Sequence, residues 1–259
     1  MTANDLELAL EMADRADAIT MAAFRKTDLI VETKADRTPV SEADRAVEED
    51  VRRVLAAERP GDRVVGEEYG DTGSGPRRWL VDPIDGTKNF VRRNPVWATL
   101  IALEEEGQLT VGVVSAPALG RRWWASRGGG SWVDDGSPRR ITVSAVADLA
   151  DAHISGASLQ SWERWGGPAV FQELASRVYA DRGFGDFWSH MLVAEGVCDV
   201  GLDPIVSLWD LAALQVIVEE AGGRFTSFEG EARPDGGSAI SSNGLVHEEV
   251  RSILTRGTT

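Results

Sequence analysis

RWLVDPIDGTKNF, residues 78–90, runs Trp79, Leu80 and Val81, and then Ile84, straight into two aspartates, Asp82 and Asp85. Carboxylates are costly to bury, and Pro83 and Gly86 interrupt any regular element there. Two readings fit the stretch. It is a strand that ends in a polar turn, or a strand that delivers Asp82 and Asp85 to a cation.

The flanking sequence sets the frame. From Arg63 onward, RVVGEE, RWLVDP, VWATLIALEE, LTVGVVSAP, RRWWASRGGGSWV and RRITVS alternate apolar and polar positions and are rich in β-branched and aromatic residues. Short glycine-containing turns separate several of them, which predicts a meander of strands. Trp123 and Trp124, adjacent on one strand, must face opposite sides of the sheet; most of the nine tryptophans suit core packing, and one of this pair suits a subunit contact. Upstream, Leu6, Leu10, Ala13, Met21 and Phe24 recur at helical spacing within residues 5–25. A second helix is expected after Pro39, with Ser41 and Asp44 resembling a capping box and Pro60-Gly61 as the stop. Beyond residue 150, strands (HISGAS, VYADRGFG, CDVGLD) mix with helices (GPAVFQELASR, DFWSHMLVAEG). SLWDLAALQVIVEEAGG then reads as a helix with Ser207 as N-cap and Gly222-Gly223 as stop, followed by RFTSFEG, AISSN and a closing helix from about Leu245. This order predicts an α/β protein of α+β layering. With no repeat or long linker, one unit is expected over 1–259, with an N-terminal half of about 1–145 and a C-terminal half of about 146–259.

Composition narrows the partners. Lys plus Arg is 27 against 42 for Asp plus Glu, a net charge of −15. That field repels nucleic acid and anionic membrane. It also repels a phosphorylated substrate unless bound cations reverse the sign locally. A single cysteine, Cys198, allows no intramolecular disulfide and no Cys-based zinc site, and it reads as a small buried hydrophobe. The first residues carry acids where a signal peptide would carry lysines, and the apolar runs are far shorter than a membrane span, so a cytoplasmic protein is expected.

Five carboxylates fall where elements begin or end: Asp44, Glu67, Asp82, Asp85 and Asp210. Each has an ordinary explanation. Asp44 and Asp210 suit the first turn of a helix, Glu67 a solvated loop, and Asp85-Gly86 a turn. Together they suggest more. VDPIDGT sets two carboxylates three residues apart, with the Ile84 carbonyl between them and the Thr87 hydroxyl after, an all-oxygen donor set of the kind hard cations such as Mg²⁺ prefer. The Gly86 and Thr87 amides then open a turn able to cradle an anion. Competing chemistries are weak. His153, His190 and His247 show no metal-ligand spacing, and His190 is expected to be packing or a helix-surface residue. The glycines of GRRWWASRGGGSW lie between strands, as in a hairpin, not ahead of a helix as in a dinucleotide fingerprint.

TKADRTPVSEAD (33–44), GEE (66–68), WLVDPIDGTKNF (79–90) and WDLAALQVIVEEAGG (209–223) together resemble the inositol monophosphatase family, over nearly the whole chain and in order. The resemblance implies an alternating α/β/α/β/α sandwich and a Mg²⁺-dependent phosphomonoesterase with two or three metal ions, acting as a homodimer with strands such as 121–126 near the contact. It implies Glu67, Asp82, Asp85 and the Ile84 carbonyl as ligands of one ion, and Asp82, Asp85 and Asp210 as ligands of a second. Asp44 paired with Thr87 would orient the attacking water together with Glu67. Gly86 and Thr87 would hold the phosphate, and Lys34 would lie on the mobile early loop.

The leaving-group pocket is implied to form just before the last ligand. Asp203 stands seven residues before Asp210, where a glutamate that holds a sugar hydroxyl is usual, and Asp186 follows Gly185. An extra carboxylate suits a cationic substrate better than a neutral polyol. GDF, NFVRRNPVWATLIAL and VGVVSAPALGRRWWASRG resemble the actinobacterial-type histidinol-phosphate phosphatases of this family. The expected reaction is therefore L-histidinol phosphate to L-histidinol and phosphate, with Asp186 and Asp203 binding the organic cation. Asp186 is alternatively a cap for the helix after it. An inositol-1-phosphatase or broad sugar phosphatase is the nearest rival; a 3′,5′-bisphosphate nucleotidase and a non-catalytic metal- or phosphate-binding regulator are more distant.

Overall fold

The computed structural model describes residues 2–33 and 39–256. An eight-stranded sheet carries the first half of the chain. Its order is Pro138–Ile141, Gly130–Asp134, Arg121–Ser126, Gln108–Ala116, Ala98–Glu105, Arg77–Asp85, Arg63–Gly66 and Gly70–Thr72. All neighbours are antiparallel except Arg63–Gly66 with Arg77–Asp85, which run parallel.

Alternation along the central strand Arg77–Asp85 builds two cores at once. Trp79 and Val81 pack on one face with Leu8, Met12, Val47 and Val51, from the helices Thr2–Phe24 and Glu42–Glu58. Leu80 faces the other way, into a core shared with the helices Asp186–Ala194 and Leu208–Glu220. Truncating the fully buried Trp79 to alanine costs about 3–5 kcal/mol on the usual scale for core aromatics. Trp123 and Trp124 divide between the same two faces, Trp123 fully buried and Trp124 half-buried, as adjacent strand residues must.

Past the helix pair lies a five-stranded mixed sheet, in the order Ala180–Arg182, His153–Gly156, Val200–Asp203, Ala239–Ser242 and Arg224–Thr226. Its far face is covered by Leu159–Trp165, Ala169–Ala175 and His247–Arg256, around Trp162, Phe171 and Phe228. The layers therefore alternate α/β/α/β/α, as the motif resemblance implied. Elements not anticipated include the helices Leu159–Trp165 and Thr87–Val91, the paired strands Val31–Thr33 and Pro39–Ser41, and the edge strand Gly70–Thr72. Among the described residues no helix is long and apolar enough to cross a membrane.

Candidate active site

Asp82 continues the alternation of the central strand and so points the way Leu80 points, toward the helix pair. Asp85, three residues on, would face the opposite side in an unbroken strand. The pairing resolves this. Asp82 pairs with Leu100 but Asp85 with Ala98, so three steps on one strand match two on its neighbour. One extra residue is a bulge, and it returns Asp85 to the face of Asp82 while Ile84 turns into a cluster with Phe90 and Trp97. Pro83, which has no N–H to offer a ladder, is tolerated in such an irregularity.

The third acid arrives from the far half of the chain. Asp210 is the third residue of the helix Leu208–Glu220, and its Oδ2 accepts a hydrogen bond from the Ser207 N–H at 2.9 Å. Asp82, Asp85 and Asp210 each bring an oxygen into one group whose members all lie within 4.8 Å of one another, a spacing that could hold a metal ion. Backbone amides fix two of these carboxylates: the Ile84 N–H donates to Asp82 Oδ1 at 3.0 Å and the Phe187 N–H to Asp85 Oδ2 at 2.6 Å. Glu67 follows the strand Arg63–Gly66, and its N–H donates to the Val81 carbonyl at 3.3 Å. Its side chain lines the same cavity of about 450 Å³.

Asp44 plays two parts. Its Oδ2 accepts from the Ser41 N–H (2.8 Å) and hydroxyl (2.5 Å), completing a capping box, while its Oδ1 is buried with no hydrogen-bond partner among the described residues. The cap explanation thus accounts for one oxygen only.

Protonation follows from this crowding. Burial, and then the neighbouring acids, hold Asp82 and Asp85 well above the usual carboxylate range. Burial pushes Asp210 up to about 7, with the charge of Glu67 adding to it. Asp44 rises to about 6, chiefly through burial, against the lowering effect of its Ser41 bonds.

Thr87 departs from expectation. Its hydroxyl donates to the Ile84 carbonyl at 2.9 Å, three residues back at the start of the short helix Thr87–Val91. The expected Thr87–Asp44 contact is not formed, because the reach-back bond satisfies the hydroxyl locally. Gly86 precedes that helix with φ +80°, and a Cβ there would sit 3.0 Å from the Val96 carbonyl oxygen, so the turn requires glycine. Lys34 lies outside the described residues.

Two further acids line the cavity. Asp186 opens its helix with φ +49°, a left-handed conformation unusual for a side-chain-bearing residue. Among the described residues its carboxylate takes no bond from that helix's own amides; Oδ2 instead faces Asn89 Nδ2 at 3.4 Å, across the chain. The capping alternative is therefore not what is seen. Burial and then Asp203 raise Asp186 to about 6. Asp203 ends the strand Val200–Asp203, and its Oδ2 lies 2.8 Å from His190 Nε2. His190 is fully buried, as the packing alternative expected, and not at the surface; its hydrogen bond to a pocket acid was not anticipated.

Sequence reasoning also missed Glu48. Fully buried, it accepts from the N–H groups of Glu68 (2.7 Å) and Tyr69 (3.1 Å) and from Arg52, and so fixes the turn that carries Glu67. A Cβ on Gly66 would lie 2.1 Å from Glu48 Oε1, which explains the glycine. The available signal was the i,i+4 pair Glu48–Arg52 beside a glycine that ends a strand. Phe184, also on the cavity wall, carried no pattern that would have identified it.

The comparisons with known proteins agree with this geometry. The model of the inositol monophosphatase family matches residues 2–257. Histidinol-phosphatase of Mycobacterium tuberculosis is 55% identical over 99% of this chain and 100% of its own length. Histidinol-phosphatase of Streptomyces coelicolor is 52% identical over 98% of this chain and 97% of its own length. Among solved structures, an IMPase from Thermotoga maritima superposes with a TM-score of 0.87 at 29% identity, covering 98% of both chains. This chain belongs to the inositol monophosphatase family.

Proposed function

We propose that the chain is a Mg²⁺-dependent phosphatase that hydrolyses L-histidinol phosphate to L-histidinol and phosphate, a step of histidine biosynthesis. The observation that carries the reading is the meeting of Asp82, Asp85 and Asp210 from distant segments within 4.8 Å. The donor set fits the metal. It is all oxygen, as hard cations require, its carboxyls are held up the pH scale by burial and then by neighbouring acids, both of which a cation would offset, and Asp44 Oδ1 is a buried acceptor without a donor among the described residues. Glu67, Asp82, Asp85 and the Ile84 carbonyl would hold one ion, and Asp82, Asp85 and Asp210 a second, with room for a weaker third near Asp44.

When bound, such ions supply positive charge that stabilises a phosphoryl group under attack and acidify water beside it. The chain's own groups do the rest. The Gly86 and Thr87 amides hold the phosphate oxygens at the turn. Glu67 and Asp44 orient the attacking water and accept its proton; Thr87 acts by bracing the Ile84 carbonyl. Asp186 and Asp203 receive the ammonium and imidazole of the leaving alcohol, and the carboxylate pair in one cavity supports an organic cation over a neutral polyol. The identities to two histidinol-phosphatases over nearly full length support the same substrate.

Phosphate release tests this. With Mg²⁺, histidinol phosphate should exceed inositol-1-phosphate by about tenfold or more in kcat/KM, the scale of one unmatched charge in a pocket. A preference for inositol-1-phosphate of that size would overturn the substrate, and turnover of a 3′,5′-bisphosphonucleotide above both would move it to the nucleotidase class. We further propose a cytoplasmic location, as suits a biosynthetic step, and a homodimer, since Trp124 and Trp132 are cross-strand partners left half-buried on one sheet face; sedimentation at a monomer mass would refute the dimer.

A further inference from the structure

His190 is buried in the layer between the two sheets, yet both its ring nitrogens are engaged. Nε2 lies 2.8 Å from Asp203 Oδ2, and Nδ1 lies 2.8 Å from Ser241 Oγ. An ionised carboxylate only accepts, so Nε2 carries a proton and donates it to Asp203; the Ser241 hydroxyl can serve Nδ1 either way. The surroundings are shaped around the ring. Gly201 pairs with Ser241 across the sheet, and a Cβ on Gly201 would lie 2.6 Å from Ser241 Oγ and 3.2 Å from His190 Nδ1. Phe225 packs beside the imidazole at 5.7 Å between ring centres. Ser241 and His190 are both fully buried, whereas Asp203 keeps 8% of its surface and lines the active-site cavity.

Burying a histidine is costly unless its ring nitrogens are hydrogen-bonded, and here the Asp203 and Ser241 bonds meet that need while tying the ring to a pocket acid. We infer that His190 is a positioning residue for substrate selection: anchored by Ser241, it holds Asp203 in the single orientation that presents its carboxylate to the ammonium-bearing leaving group. Carboxylates that contact a metal or cation are commonly fixed in this way by a donor behind them. The inference rests on the substrate reading above, and it adds how a pocket acid is made rigid enough to select.

The test uses two substitutions of opposite sense. A glutamine amide nitrogen falls close to where histidine Nε2 lies, while an asparagine nitrogen falls close to Nδ1. His190→Gln should therefore keep the Asp203 bond and His190→Asn should lose it. With Mg²⁺, His190→Asn is expected to raise KM for histidinol phosphate about tenfold, the size of one charge-assisted hydrogen bond, with kcat changed less than about twofold. KM for glycerol 2-phosphate, which has no ammonium, should move less than about twofold, and His190→Gln should stay within about threefold of wild type on histidinol phosphate. In an Asp203→Asn background, His190→Asn should add nothing, since the two act as one unit. Equal losses on both esters, or the same tenfold rise without Asp203, would overturn the inference while leaving the substrate reading intact. A wild-type enzyme with no preference for histidinol phosphate over glycerol 2-phosphate would instead overturn that reading and the inference with it. Should the histidine variants fail to fold, Ser241→Ala removes the anchor alone: a selective KM rise of about threefold supports the inference, and an unchanged or unselective KM contradicts it.

Discussion

Replacing Asp210 with asparagine should make the metal-free protein more stable at neutral pH while removing its activity. Burial and neighbouring acids lift Asp210 from 3.8 to about 7. Between those values the folded state holds a proton that the unfolded chain has released, so its contribution is fully present below about pH 4 and is lost as pH rises through 7. A displacement of about three pH units corresponds to at most about 4 kcal/mol. Asp210 is only partly buried by its neighbours in the open cavity, so solvent reduces this to about 2–3 kcal/mol. The asparagine side chain would keep the acceptor for the Ser207 N–H and carry no charge. Thermal melting in EDTA should show wild type and Asp210→Asn alike at pH 4, with the variant about 4–10 °C higher at pH 7.5. Saturating Mg²⁺ should raise the wild type more than the variant, which keeps the ligands of the first ion and loses one of the second; a ligand at 100 times its Kd stabilises by about 2.7 kcal/mol. Comparing variant with wild type is necessary because His247 titrates in the opposite sense in both. A variant less stable than wild type at pH 7.5 in EDTA would refute the reasoning, because it would mean that burial and the neighbouring acids do not disfavour the ionised Asp210 in the folded protein.

His247 is buried with Thr226 on Nε2 (2.9 Å) and Ser242 on Nδ1 (2.8 Å), and burial lowers it to about 4. Below pH 6.5 the unfolded chain binds a proton the folded state refuses, so stability should fall by up to about 3 kcal/mol between pH 6.5 and 4; His247→Gln should flatten that limb in urea midpoints, and an unchanged limb would rule the assignment out. Glu48→Gln should lower kcat about tenfold or more by loosening the turn at Glu67, with KM little changed; a loss confined to KM would place its role elsewhere. Asp186→Asn should raise KM for histidinol phosphate selectively, by about tenfold, as kinetics on both esters would show, whereas equal loss on inositol-1-phosphate would return Asp186 to a structural part.

Much of the layering was readable because alternation and helical spacing are local. Trp79, Leu80 and Val81 declare a strand with two buried faces, and Ser41 with Asp44 declares a helix start that the structure reproduces as a capping box. The bulge between Asp82 and Asp85 was not readable: three residues imply opposite faces, and only the pairing with Leu100 and Ala98 brings the acids together. The Thr87–Asp44 contact failed for a local reason, since a hydroxyl at the start of a helix finds the carbonyl three residues back before it reaches across the site. The partners of His190 were not readable because Asp203 and Ser241 lie thirteen and fifty-one residues away, and no spacing along a helix encodes them. Asp186 was readable as an acid but not in its left-handed backbone, nor in its contact with Asn89, ninety-seven residues away.

The central claim is that distant acids gather divalent cations and so make water reactive toward a phosphate ester. The direct measurement is phosphate release from histidinol phosphate by protein stripped with EDTA, before and after Mg²⁺ is restored. Turnover should vanish on stripping and return with the metal. Undiminished turnover in the stripped protein would contradict the account at its root.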